Sequence, residues 1–231
     1  MIDKFKDKLF FERIERKWTF DKDTVSLNSL NINILRSKLR FHEAFTKRNV
    51  NSIYFDDKNL SSIIENLDGV MNKKKYRVRW YGDKEVIEKC SLEIKEKKGF
   101  VCRKLVKPLN LKKKFFFNYD GINELKEEIL KLIDYKINLI PVLSTHYVRE
   151  YYLSSLNNQI RATLDHDISS HLIIKNQNLI FKKNFGDYIY EMKYSKKYEN
   201  LVRNNLSNLA NRYSKSSKYI NSAINKPIYF S

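Results

Sequence analysis

Glycine and proline are scarce in this chain of 231 residues, with 5 and 3 copies that do not cluster. Linkers between domains are usually rich in such turn-forming residues, so we expect one domain over residues 1–231. Only two cysteines occur, Cys90 and Cys102, which are too few for a secreted disulfide scaffold and lack the spacing of a zinc site. We therefore expect a reducing compartment, the cytoplasm.

Long apolar runs are also missing, because no stretch approaches the roughly 18 apolar residues of a membrane-spanning helix. The first residues, MIDKFKDKLFFERIERKW, carry charges throughout and contain no apolar core of a signal peptide. These observations predict a chain without a transmembrane segment that is not secreted.

Acidic residues are few relative to basic ones. The chain has 27 Asp and Glu against 45 Lys and Arg, a formal net charge of +18. Such an excess indicates a polyanionic partner, which can be nucleic acid, an anionic membrane surface or a phosphate-rich molecule. Hydrophobic residues at 42% and aromatic residues at 13% are sufficient for a packed core, which excludes a disordered tail.

Segments rich in β-branched and aromatic residues dominate the chain, and helical periodicity is restricted to a few stretches. The predicted strands are Phe11–Phe20, Asn51–Phe55, Lys75–Tyr81, Lys89–Lys97, His146–Leu153, Gln159–Asp165, Leu179–Phe181 and Tyr188–Tyr194. The predicted helices are Leu27–Leu39, Leu60–Leu67, Ile122–Tyr135 and Leu201–Ala223. This pattern predicts an α+β domain built around a large antiparallel sheet or barrel.

The segment KKKYRVRWYG, residues 73–82, places cations at the odd positions from 73 to 79 and aromatic or aliphatic residues at the even positions from 76 to 80. Successive side chains of a strand point to opposite faces, so one face is cationic and the other apolar. The segments FERIERKWTF, SLEIKEK, YVREYY, IRATLD and YIYEMKY alternate in the same way. A solvated outer face would explain one such strand, whereas the repetition favours a closed barrel with a polar lumen.

The apolar outer face of such a barrel needs a cover. A porin uses lipid, but the missing signal peptide and the amphipathic helices favour cover by helices. Confined lysines and arginines repel one another and lower lysine pKa values, so the lumen is expected to hold an anion. Arginine and lysine together match a chain of phosphates. The carboxylates of Glu15, Glu93 and Glu191 suit either ion pairs or a Mg²⁺ or Mn²⁺ shared with phosphate oxygens.

Nine short motifs in collinear order give the chain a family resemblance. They are ERKW at 15–18, SIYFDD at 52–57, YRVRWYG at 76–82, LEIK at 92–95, RK at 103–104, YVREYY at 147–152, IRATLD at 160–165, YEMKY at 190–194 and SKY at 217–219. In these motifs the chain resembles the VTC domain, the polyphosphate polymerase branch of the CYTH-like triphosphate tunnel metalloenzymes. It resembles the free-standing bacterial form.

The resemblance implies a closed antiparallel β-barrel tunnel of about eight strands with a cationic lumen and surrounding helices. It implies a metal-dependent phosphotransferase, in which Mn²⁺ or Mg²⁺ assists transfer of the γ-phosphate of ATP to a growing polyphosphate chain. Carried over by motif, the residues that grip the triphosphate or product are Lys17, Arg77, Arg79, Lys95, Arg149, Arg161 and Lys218. Further substrate-binding residues are Lys75, Lys104, Lys193 and Lys215, and the metal ligands are Glu191 and Glu15.

Two alternatives remain open. The first is a tunnel triphosphatase, although Arg13 replaces the first carboxylate of the ExExK motif of hydrolytic relatives, which favours transfer over hydrolysis. The second is a non-catalytic polyphosphate- or RNA-binding module, in which Tyr76, Trp80 and Tyr81 would stack on bases. Because Tyr76 and Trp80 lie opposite the cations, burial against a helix is the favoured interpretation. We therefore expect ATP and polyphosphate as partners and no nucleic acid.

The 4 histidines have no spacing typical of a catalytic or metal site. His166 and His171 are predicted to be surface or loop residues.

Overall fold

The computed structural model describes residues 6–10, 13–99, 101–133, 138–173, 181–206, 213–214 and 217–224. The strands are β1 (Lys6–Phe10), β2 (Arg13–Asp21), β3 (Phe41–Asp56), β4 (Lys73–Tyr81), β5 (Val86–Ile87), β6 (Cys90–Lys98), β7 (Val101–Leu109), β8 (Phe115–Phe116), β9 (Ile140–Ser154), β10 (Arg161–Leu172), β11 (Phe181–Asn184) and β12 (Asp187–Ser195). The helices are α1 (Leu27–Leu35), α2 (Ser61–Leu67), α3 (Tyr119–Leu130), α4 (Glu199–Asn205) and α5 (Lys218–Ile224), with a 3₁₀ turn at Lys196–Tyr198.

Ten of the strands form one antiparallel sheet, in the order β1-β7-β6-β4-β3-β9-β10-β12-β2, with β11 also paired to β10. Its two end strands are consecutive in the chain, since β1 ends at Phe10 and β2 begins at Arg13. Three residue steps span at most roughly 11 Å, so the two ends of the ladder are held close together and the sheet must curl. The curled antiparallel sheet is confirmed, while full closure into a barrel stays a prediction.

The two faces of the curled sheet differ in polarity. The charge of Lys95 on β6 lowers the pKa of Glu15 on β2, and the charge of Lys17 on β2 lowers the pKa of Lys75 on β4. These residues are therefore close in space, although several strands separate them along the ladder. The face that carries these side chains is therefore the concave face. The opposite, convex face carries Tyr76, Val78 and Trp80, which are buried in an apolar core.

Helices cover the convex face, as the amphipathic patterns predict. Ile122, Leu125 and Ile129 of helix α3 belong to the same apolar core as residues of β4, β6 and β7. The N-cap of α3 is Asn118, whose side chain accepts a hydrogen bond from the Gly121 backbone N–H at 2.8 Å. Helices α1 and α4 cover the other half of the sheet in a second core around Trp18, Tyr190 and Tyr194. Within the described part of the chain, no helix has both the length and the apolar character needed to cross a membrane.

Helix α5 lies instead on the concave face. The ring of Tyr219 stacks on that of Tyr54 in β3 at a centroid distance of 4.7 Å, and its hydroxyl donates to Asp56 Oδ2 at 2.9 Å. Asp56, 1% exposed, also accepts the backbone N–H groups of Ser62 and Ile63 at the start of α2. A single buried carboxylate thereby joins β3, α2 and α5.

Two predictions about local structure are wrong. A continuous helix over 201–223 is not formed, because α4 ends at Asn205 and residues 213–214 are not helical. His166 and His171 are not surface residues: both lie in β10 and are 5% exposed. The ring of His171 packs edge-on to that of His146 at 5.0 Å, and both rings contact that of Phe117.

Candidate functional site

The concave face collects the cations that the alternation predicts. Residues directly opposite one another in an antiparallel ladder share a face of the sheet. The register therefore shows which residues of neighbouring strands lie on the same face as the odd-numbered residues of β4. Arg77 lies opposite Glu93 and Tyr54, Arg79 lies opposite Ser52, and Arg161 lies opposite Lys193. We call the following set the cationic wall: Lys17, Lys75, Arg77, Arg79, Lys95, Lys104, Arg149, Arg161, Lys193 and Lys218.

Three lysines of the cationic wall form a row across adjacent strands. Lys75 on β4 lies opposite Lys95 on β6, which lies opposite Lys104 on β7. Like charges in directly opposed positions destabilise a sheet. Burial and the charges of Lys95, Lys73, Lys17 and Arg77 lower the pKa of Lys75 to about 7, as expected for confined cations.

Glu93 holds three cations of the wall. Its carboxylate accepts a hydrogen bond from Arg77 Nε at 2.6 Å and contacts Lys104 Nζ at 2.9 Å, with Arg79 Nη1 at 4.0 Å. Burial alone would raise the pKa of Glu93, but these cations outweigh it and hold the pKa well below its usual range. Of the two interpretations left open for Glu93, the geometry therefore supports ion pairing.

Asp165 is a second buried centre of ion pairing. Arg149 donates to it through both Nε, at 2.5 Å, and Nη2, at 2.7 Å, in a bidentate pair. Lys218 of α5 forms a further ion pair with the same carboxylate. Burial opposes ionisation, yet Arg149 and Lys218 keep the pKa of Asp165 well below its usual range. The predicted reach of Lys218 into the wall is thus observed, with a carboxylate as its partner.

Glu15 and Glu191, the predicted metal ligands, share two lysines. Lys17 Nζ lies 2.9 Å from Glu15 Oε1 and 3.5 Å from Glu191 Oε2. Lys193 contacts Glu191 and lies 3.8 Å from Glu15 Oε2. Burial raises the pKa of Glu15, but Lys193, Lys17 and Lys95 outweigh it and lower the pKa to about 2. The two carboxylates are close enough to share one cation, and ammonium groups bind there in this structure.

The remaining predicted residues differ in their placement. Arg161 is exposed at the end of β10, and Lys95 is exposed within β6. Lys215 lies outside the described residues. Within those residues, no group of three or more His, Cys, Asp and Glu side chains is arranged to hold a metal ion. A metal ion at Glu15 and Glu191 would be held by two carboxylates, with further oxygen ligands from water or substrate phosphates.

Two tyrosines of the site were missed by the sequence analysis. Tyr147 lies among the cations: its hydroxyl accepts from Arg79 Nη2 at 3.3 Å, and Lys218 Nζ lies 4.5 Å from its ring centre. Tyr54 accepts from Arg77 Nη1 at 3.4 Å. Burial would raise the pKa of Tyr54, but Arg77 and Arg79 outweigh it and lower the pKa. The strand period of two could have identified Tyr147, because it stands two residues before Arg149 in YVREYY and so shares its face. Tyr54 lies in the motif SIYFDD, and its place beside Arg77 follows from the strand register.

The structure defines an architectural class, a curled antiparallel sheet with a cationic concave face and helices on its convex face. Within it, the VTC domain model matches residues 12–224, and the chain belongs to the VTC domain family. A search of curated protein sequences finds no match.

Solved structures with a similar fold include two of low sequence identity. One is HpAC1 from Hippeastrum, described as having a dominant triphosphatase activity, at 15% identity and a TM-score of 0.46, covering 93% of this chain and 98% of the other. Another is the PH1819 protein from Pyrococcus horikoshii OT3, at 12% identity and a TM-score of 0.46, covering 89% and 96%.

The lysine row predicts a pH dependence of anion binding. A bound polyanion restores the usual pKa of Lys75, so binding takes up a proton above pH 7, and affinity for tripolyphosphate should fall about tenfold between pH 7 and pH 8.5. Lys75→Arg keeps its charge throughout this range and should lose most of that dependence. Calorimetric titrations at several pH values measure the effect, with Lys98→Arg on the exposed end of β6 as control. Equal pH slopes for the wild type and Lys75→Arg would contradict it.

The Asp165 centre predicts a loss of stability that an anion repairs. Asp165→Asn leaves Arg149 and Lys218 buried without their carboxylate and should cost about 3–5 kcal/mol of unfolding free energy. In the wild type, folding lowers the pKa of Asp165. The stabilisation by its ion pairs is therefore complete above about pH 4 and is lost as the pH falls further.

Denaturant unfolding with and without tripolyphosphate measures this loss, and the ligand should stabilise Asp165→Asn more than the wild type. Asp68→Asn, at an exposed helix end, is the matched control. A fully stable Asp165→Asn protein would remove this ion pair from the account of the fold.

Proposed function

We propose that this chain is a phosphotransferase that moves the γ-phosphate of ATP onto the end of a growing inorganic polyphosphate. The observation that carries the proposal is the lysine row of Lys75, Lys95 and Lys104, which continues into the arginines around Glu93. Directly opposed lysines are unfavourable unless a polyanion lies between them, and a linear phosphate chain has the required charge spacing. Membership of the VTC domain family supports the same conclusion.

Phosphoryl transfer requires positioning and charge stabilisation rather than a nucleophilic side chain. A terminal oxygen of the acceptor chain attacks the γ-phosphorus, the bond to the β,γ-bridging oxygen breaks, and ADP leaves with the electron pair. Arg77 and Arg79 are oriented by Glu93 and hydrogen-bonded to tyrosines, so their guanidinium groups are fixed before the substrate arrives. Arg149 is fixed in the same way by Asp165.

A divalent metal is part of the proposal, and the donor chemistry of Glu15 and Glu191 fits it. Mg²⁺ and Mn²⁺ prefer oxygen ligands and are commonly held by one or two carboxylates together with substrate phosphates. Such an ion would neutralise charge on the phosphates. Lys17 and Lys193, which contact these carboxylates now, would then be available to the phosphate oxygens.

A tunnel triphosphatase remains the second candidate, because the same wall would bind triphosphate for hydrolysis. One assay separates the two: purified protein is incubated with ATP and Mn²⁺, and the products are analysed on a gel stained for polyphosphate and by a phosphate-release assay. The phosphotransferase produces polymer and ADP in step. Release of phosphate without polymer would replace the proposal by the triphosphatase, and neither product would refute both.

The metal assignment predicts the behaviour of Glu191→Gln. Glutamine keeps the shape of the side chain but removes the negative charge that a hard cation needs, so turnover should fall at least about 100-fold while metal-free tripolyphosphate binding is kept or tightened. ATP turnover across a Mn²⁺ titration, with a melting curve, measures both. Glu65→Gln, outside the site, is the control. An active Glu191→Gln enzyme with an unchanged metal optimum and lowered stability would assign Glu191 to ion pairing alone.

A further inference from the structure

Three aromatic rings surround one arginine at the edge of the concave face. The guanidinium carbon of Arg48 lies 5.9 Å from the ring centre of Phe45, 6.0 Å from that of Tyr81 and 5.9 Å from that of Tyr151. The rings of Phe45 and Tyr151 meet edge to face at 6.0 Å. We call Phe45, Arg48, Tyr81 and Tyr151 the aromatic platform.

The aromatic platform is open to solvent. Phe45 is 63% exposed and Tyr81 is 50% exposed, while Tyr76 and Trp80 of the same β4 segment are buried on the convex face. Single exposed apolar side chains are common on protein surfaces and need no explanation. Several exposed rings gathered around a cation are a different case, because each ring presents a π face and the arginine adds a planar stacking surface.

The platform borders the cationic wall directly. Arg48 lies opposite Arg149 in the β3–β9 ladder, and Phe45 lies opposite Tyr151. Tyr81 lies opposite Val50, which in turn lies opposite Tyr147 at the centre of the wall. Opposed residues are about 5 Å apart at their Cβ atoms, a spacing comparable to that between neighbouring groups of a nucleotide. A flat ring bound at the platform would thus carry an attached phosphate chain toward Arg149.

We infer that the aromatic platform binds the base of a nucleoside triphosphate whose phosphates occupy the cationic wall. This inference rests on the proposed function and extends it to the nucleoside. Stacking tolerates any base because every base has a π face, so ATP and GTP should bind with similar affinity. Single-stranded RNA is disfavoured as the occupant, because its phosphates are flanked on both sides by nucleosides, whereas a terminal triphosphate chain can reach end-on a cation as buried as Arg79, which is 9% exposed.

Paired titrations of ATP and inorganic tripolyphosphate test the inference without requiring turnover. The wild type should bind ATP about tenfold more tightly than the charge-matched tripolyphosphate, and Phe45→Ala and Tyr81→Ala should each reduce this preference several-fold. Their affinity for tripolyphosphate should not change. Phe116→Ala is the matched control, because Phe116 is 58% exposed and lies in the separate β5–β8 sheet.

A fluorescent variant gives a second readout. Both native tryptophans, Trp18 and Trp80, are 1% exposed, so Phe45→Trp introduces a solvent-exposed reporter. ATP should quench its emission and tripolyphosphate should not. This signal would also reveal stacking if the alanine variants lost stability.

The outcomes separate this inference from the proposed function. Equal affinities for ATP and tripolyphosphate in the wild type, with no quenching by ATP, would overturn the platform assignment and leave the phosphate site intact. Absence of tripolyphosphate binding would instead refute the proposed function. Tighter binding of a short single-stranded RNA than of ATP, lost in Phe45→Ala, would assign the platform to RNA.

Discussion

Cations outnumber the carboxylates that hold them on the concave face, and the rest of the site depends on this imbalance. Glu93 contacts Arg77, Arg79 and Lys104, while Asp165 contacts Arg149 and Lys218. Each carboxylate fixes the direction of its cations without neutralising all of them. The curl of the sheet prevents the cations from moving apart, so the site keeps both a defined geometry and a surplus of positive charge.

Apolar packing on the convex face offsets the unfavourable free energy of this charge arrangement. Burial of large side chains under α1, α3 and α4 supplies the favourable free energy that offsets repulsion among lysines on the other face. Asp56 then anchors α5 over the concave side, and Tyr219 packs on Tyr54, so Lys218 is brought to Asp165 by packing as well as by charge. Most of the apolar packing thus lies on the convex face, and most of the ion pairing lies on the concave face.

The sequence predicted which side chains share the concave face, because a strand has a period of two and cations keep to that period in several segments. It did not predict their partners. The pairs between Arg77 and Glu93 and between Arg149 and Asp165 depend on strand register, which long-range packing determines. The family resemblance supplied roles for these cations but no role for Asp165 or Tyr147.

Errors arose where tertiary packing overrides local polarity. His171 follows two serines in the sequence, yet it belongs to the part of β10 beyond the register shift between His166 and Ser169, where its ring packs on that of Phe117 in the core. The apolar spacing of residues 201–223 suits a helix, but the separate contacts of α4 with the convex core and of α5 with the concave side assign its two ends to different faces of the sheet. Periodicity alone could not reveal that division.

Ion pairing at Glu15 and Glu191 also bears on how metal and phosphate would bind together. The pKa of Glu15 is about 2, so this carboxylate stays ionised at neutral pH and keeps Lys17 and Lys193 beside it. On the proposed function, Glu15 and Glu191 would hold a metal ion that neutralises phosphate charge, and Lys17 and Lys193 would then be available to the phosphate oxygens. Phosphate oxygens would supply further ligands to a metal ion held there, so each ligand would favour the binding of the other. Linkage makes such a coupling reciprocal: if a metal ion tightens phosphate binding at this cluster of two carboxylates and two lysines, phosphate must tighten metal binding by the same factor.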